Sequence, residues 1–147
     1  MRLIKIILFL FIVVGCNGQT AKNDKLIAAL NNSEIEKRGN LVEISPSEFR
    51  LDYYDVHEED SHYEFLSSKG YQGGGPSWLG IIYGAIKMSD PDILDKIRFD
   101  DEADGLAIWS SDKESLDKIS KLIAVVKSDE RLLMETIKLA ENHGEME

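Results

Sequence analysis

The chain has 147 residues, 43% of them hydrophobic and 30% charged, which is enough apolar surface for one core, too little chain for two, and too little polar bias for general disorder. Against 17 Lys and Arg stand 27 Asp and Glu, a formal net charge of −10 that repels phosphate backbones and argues against nucleic acid as a partner. A single Cys excludes an internal disulfide and any multi-cysteine zinc site.

Residues 1–16 read MRLIKIILFLFIVVGC, with Arg2 and Lys5 ahead of an apolar run from Ile6 to Val14. A spanning helix needs about 20 apolar residues, so this shorter run followed by polar residues has the layout of a secretory signal. Val13-Val14-Gly15-Cys16 resembles the lipobox of bacterial lipoproteins. That resemblance implies a signal peptide over 1–15, cleavage before Cys16, and a diacylglycerol on the Cys16 thiol. Acyl methylenes contribute about 0.8 kcal/mol each on burial, so the expectation is a protein held on a membrane without spanning it. Asn17 in place of Asp implies, by resemblance to enterobacterial sorting, the outer rather than the inner membrane of the cell envelope. Loss of Arg2 and Lys5 would leave the mature chain more acidic still.

Residues 16–39 are expected to form a lipidated N-terminus and then a short helix or a tether, with Leu26, Ile27, Leu30 and Ile35 at helical spacing and Gly39 as a stop. Residues 40–142 are expected to be the folded unit. Leu41, Val42 and Ile44 suggest a strand; the alternation of Phe49, Leu51 and Tyr53 against Arg50, Asp52 and Tyr54 suggests a second, with Ser45-Pro46-Ser47 as the turn. After the charged run from His57 to His62, Tyr63, Phe65 and Leu66 are read as a returning strand. Gly73-Gly74-Gly75-Pro76 then opens a helix carrying Trp78, Leu79, Ile82, Tyr83 and Ile86. Asp90-Pro91 starts a short helix with Ile93, Leu94 and Ile97, and residues 98–100 and 106–109 flank a turn-rich acidic hairpin. Ser111 and Glu114 have capping-box spacing for a helix with Leu116, Ile119, Leu122, Ile123 and Val126 on one side. A last helix begins at Ser128 or Asp129 and runs to Ala140, and residues 143–147 are a polar tail expected to fray. Strands, a helical middle, a hairpin and two closing helices make an α+β domain: a small antiparallel sheet packed with several helices.

No constellation for catalysis stands out. His57-Glu58-Glu59-Asp60-Ser61-His62 has imidazoles and carboxylates but no established ligand spacing, and a solvated tip accounts for the same residues. Asp100-Asp101-Glu102-Ala103-Asp104-Gly105 falls short of a calcium loop because Ser111 stands where the closing Glu belongs. The three glycines are followed by no Walker lysine, so a tight turn near Trp78 accounts for them. The expectation is no catalytic residue, no metal and no cofactor.

From Gly70 onward the order of motifs resembles the Imm51 family of immunity proteins from bacterial polymorphic toxin systems. The matching residues are Gly70, Tyr71, Gly75 and Trp78; then Ile97, Phe99, Asp100, Glu102, Ala103 and Gly105; then Ser110, Ser111, Asp112, Ser115 and Leu116. The chain departs from the pattern by extra residues between Tyr71 and Trp78 and by Asp104 ahead of the hairpin glycine. The resemblance covers roughly residues 40–140 and implies a non-enzymatic protein that binds and occludes a cognate toxin. Acidic segments would steer a basic partner, and aromatic anchors would supply affinity. The candidates on those grounds are Glu58, Glu59, Asp60, Asp100, Asp101, Glu102 and Asp104, with Tyr53, Tyr54, Tyr71 and Trp109, set against the reading that most Tyr and Trp are core. An envelope structural or adaptor lipoprotein without a toxin partner is the alternative, and a small metal binder using His57 and His62 a third. The oligomeric state is left open.

Overall fold

The computed structural model describes residues 22–146, so the signal peptide expected over residues 1–15 and the lipidation expected at Cys16 lie outside the described residues. Alternation in the chain is realised as four strands: β1 (Asn40–Ser45), β2 (Glu48–Tyr53), β3 (Ile97–Asp101) and β4 (Leu106–Ser110). They form one antiparallel sheet in the order β1-β2-β4-β3, joined through pairs such as Leu51 with Ile108 and Phe99 with Ile108. Both hairpins expected from the turn residues are present, and the β1–β2 hairpin carries a bulge between Glu43 and Ser45.

Among the described residues five α-helices accompany the sheet: α1 (Asp24–Asn31), α2 (Tyr63–Ser68), α3 (Gly75–Ser89), α4 (Lys113–Lys127) and α5 (Glu130–His143). The helices α3 and α4 pack on the sheet, and α1 and α5 pack on α3 and α4 in turn. Because α3 is covered from several directions, Trp78, Ile81, Ile82, Ala85 and Ile86 are all buried, as an apolar central helix requires. They share one core with Leu51, Tyr53, Leu106 and Ile108 of the sheet and with Leu116, Ile119 and Ile123 of α4. The architecture is α+β in a single domain, as the order of patterns implies.

Several local expectations are corrected. Tyr63 to Leu66 begin α2 rather than a strand: the Asp55 carboxylate accepts from the His62 N–H and the Ser61 hydroxyl, which turns the chain into a helix that buries Leu66. The cap of α4 is Asp112, one residue after Ser111, because its carboxylate accepts both the Glu114 N–H and the Ser115 hydroxyl. Residues Pro91–Lys96 are a 3-10 turn, and Ile97 is already in β3. Of the short helix and the tether expected within residues 16–39, the helix is present as α1, and its Leu26, Ala29 and Leu30 are buried in the core, so the packed unit starts well before residue 40. At the other end α5 continues to His143, Glu145 N–H donates back to Ala140, and Met146 packs against the core beside Gly80.

Candidate partner-binding surface

Helices cover the side of the sheet that holds Leu51, Tyr53, Leu106 and Ile108; period-2 alternation sends Arg50, Asp52, Arg98, Asp100, Ala107 and Trp109 to the opposite side. There Trp109 sits at the centre of a charged face, with the Arg50 and Arg98 guanidiniums each 5.2 Å from its ring centroid. Arg50 Nε lies 2.7 Å from Asp52, and Arg98 is 3.9 Å from Asp100. Tyr54 continues this face at the end of β2; its side chain is 44% exposed and its ring lies 5.9 Å from that of His57. His57 in turn is 3.9 Å from Asp104 on the β3–β4 turn. Tyr54, Asp100, Glu102 and Asp104 are therefore brought together at one end of the outward face.

The turn that carries Asp101 to Asp104 is held in place by the glycine run. Gly73 has φ +82°, which frees its N–H to meet the Ser77 hydroxyl, and a β-carbon at Gly75 would collide with the carbonyl oxygens of Glu102 and Gly105. The bare backbone of α3's first turn is thus the seat of the hairpin.

Glu58 and Asp60 do not form a solvated tip. They converge with Asp55 on Lys127, whose side chain is 2% exposed: Glu58 is 2.9 Å and Asp60 3.3 Å from Nζ, and Asp55 forms the closest pair. Tyr53 Oη also donates to Asp55, at 3.0 Å, and the Arg38 guanidinium spans Glu58 and Asp60 from outside. Burial pulls the Lys127 ammonium down, but the surrounding carboxylates outweigh it and hold it above the ordinary lysine value. Burial likewise raises Asp60, yet Lys127 and Arg38 prevail and hold it below the usual carboxylate range.

The remaining candidates are scattered. Tyr53 is 1% exposed, packs edge-on against Trp78 at 4.9 Å, and is pushed far up in pKa by burial and by Asp55, so it is a core residue and not a surface anchor. Tyr71 donates to Glu141 at 2.6 Å, away from the sheet, and that hydrogen bond is the main reason its phenol is pushed up to about 12. Glu59 lines a separate hollow with Val56, Ser61 and Tyr63. Sequence reading missed Arg38, Asp55 and Lys127, which carry no local signal, and passed over Arg50, Asp52 and Arg98, which the strand alternation does mark as sharing a side with Tyr54 and Trp109.

Among the described residues no three His, Cys, Asp or Glu side chains converge as metal ligands. His57 faces Tyr54 and Asp104, whereas His62 packs edge-on against Phe65 and Trp78. Among the same residues no helix is long and apolar enough to cross a membrane. The outward face presents aromatic rings, guanidiniums and carboxylates, residue types that protein recognition uses. In comparison with known proteins, the family model for Immunity protein 51 matches residues 42–142. No curated protein matches the chain, and no solved structure does.

Proposed function

The chain belongs to the Immunity protein 51 family, and from that premise we propose that it binds and neutralises a cognate bacterial toxin without performing chemistry of its own, and that it does so from the cell envelope, anchored through a lipid on Cys16. The observation that carries the reading is the extent of the family match, which runs from within β1 to the last turn of α5 and so takes in part of β1, the other three strands and nearly all of both closing helices. The acidic balance of the chain supports a basic toxin surface as the complement, since opposite potentials accelerate encounter. The lipobox spacing and the short apolar run support the anchor.

The test is a toxicity rescue. Each candidate toxin domain encoded beside this protein is expressed in the envelope of a test cell together with the wild type or with Cys16→Ala. Wild type is expected to restore growth and Cys16→Ala to fail. Rescue by both would keep immunity and remove the anchor from it; failure of both against every neighbouring toxin would replace the toxin reading with that of an envelope adaptor sharing the fold.

A further inference from the structure

The outward face of the sheet is a lattice of rows running across β2, β4 and β3. Pairing sets Arg50, Trp109 and Arg98 in one row and Asp52, Ala107 and Asp100 in the next. The turn continues the pattern with Tyr54, Gly105 and Glu102: the Glu102 N–H donates to the Gly105 carbonyl at 2.8 Å, and the Tyr54 ring lies where a β-carbon on Gly105 would stand. Ala107 is consequently the low point, with a tryptophan row on one side, a tyrosine row on the other, and a carboxylate across each strand gap. A hollow of about 140 Å³ lies there, bordered by Arg50, Tyr54, Trp109, Asp52, Asp100 and Glu102.

Charge decides what such a hollow accepts. Three carboxylates and the Arg50 guanidinium border it, Arg98 stands 3.9 Å from Asp100 beside it, and Asp104 on the turn adds to the negative charge. Asp52 is already held by Arg50, so an apolar anchor seated here would strip water chiefly from Asp100 and Glu102 and return nothing to them, and an acidic one would be repelled. A cation satisfies the carboxylates while its flat or methylene portion lies against aromatic rings, and the Trp109 ring already accepts guanidiniums at 5.2 Å.

We infer that the hollow over Ala107 receives a lysine or arginine side chain of the toxin, making Tyr54 and Glu102 specificity-determining contacts. This rests on the toxin-binding reading and adds to it the face of the protein and the chemical class of the anchoring residue.

The experiment measures the Kd of the wild-type protein for each neighbouring toxin domain, then repeats it with Tyr54→Ala, Tyr54→Phe, Glu102→Gln and Glu102→Lys. Glu130→Gln, at an exposed position at the start of α5, is the control with the same loss of charge as Glu102→Gln. Tyr54 and Glu102 are exposed, so the variants are expected to fold, and thermal melts verify it. Tyr54→Ala is expected to weaken binding about 30-fold or more, as a hot-spot truncation does. Tyr54→Phe should retain most of the affinity, Glu102→Lys should lose more than Glu102→Gln, and Glu130→Gln should stay within about twofold of wild type. If the wild type binds a toxin and Tyr54→Ala and Glu102→Lys bind it as tightly, the hollow is not the docking site while the toxin reading stands. If the wild type binds none of the toxins, the toxin reading fails and this inference fails with it.

Discussion

At the scale of single residues the most consequential side chain is Lys127. Among the described residues its ammonium is the only cation paired with Asp55, which is itself 1% exposed at the side chain and also receives the Tyr53 and Ser61 hydroxyls and the His62 N–H. Removing one member of a buried pair leaves the other charge without compensation, which costs about 3–5 kcal/mol. Lys127→Met is therefore expected to lower the unfolding free energy by that amount in urea denaturation, and adding Asp55→Asn should recover part of the loss because the stranded charge is gone. A change under about 1 kcal/mol for Lys127→Met would show that the pair does not hold the loop. None of this is visible locally in the chain. The run from His57 to His62 reads as solvated because its counter-ion lies 67 residues from Asp60 and 72 from Asp55.

The elements show where local pattern suffices and where packing overrides it. Strand alternation, the paired turn residues and the apolar stripes of α4 and α5 each bury the side that their period marks, so these elements are legible from composition and spacing alone. The exceptions are positions where a polar side chain chose between neighbouring caps, as Asp112 did over Ser111, or where a distant acceptor bent the chain, as Asp55 did ahead of α2. The glycine run belongs between these cases: its turn is legible, but its partner, the hairpin from Glu102 to Gly105, is not. Gly75→Ala places a β-carbon against two carbonyl oxygens of that hairpin and is expected to cost about 1–3 kcal/mol. Because the hairpin also carries Glu102 and Gly105 beneath Tyr54, the substitution should weaken the proposed toxin contact as well as lower the melting temperature. An unchanged melt would mean the hairpin is free to lift away from α3.

At the scale of the whole molecule, ionisation sets a plateau of stability. Asp112, through the Ser115 hydroxyl and Lys96, and Asp129, through Lys25 and the Leu132 N–H, are held below the usual carboxylate range. Asp60 and Asp117 are raised by burial but held below that range overall by their basic partners. Groups whose folded pKa is depressed contribute stability that is present above the unfolded value, about 3.9, and is lost as pH falls through the folded value. Lys127 and Lys118 have raised folded values, so their contribution is present below the unfolded value of about 10.4 and is lost as pH rises past it. The urea midpoint is thus expected to be flat between about pH 5 and pH 9 and to fall on both sides. A maximum at the isoelectric point near 4.8 instead would show that relief of net charge outweighs the ion pairs.

The amino-acid sequence by itself determined the α+β class, the strand and helix periods, the candidate export signal, and the ordered motifs that place the chain in its family, because each depends on residues close together along the chain. Only the tertiary structure decided which charged groups are paired and which remain available. Burial and ion pairing are set by neighbours that folding brings in from far away: Lys127 beneath Glu58 and Asp60, the glycine backbone beneath the acidic turn, and Arg50 and Arg98 on either side of Trp109. That is why Tyr53 and Tyr54, adjacent and chemically alike, end in opposite places, one locked in the core against Trp78 and the other exposed at the rim of the hollow.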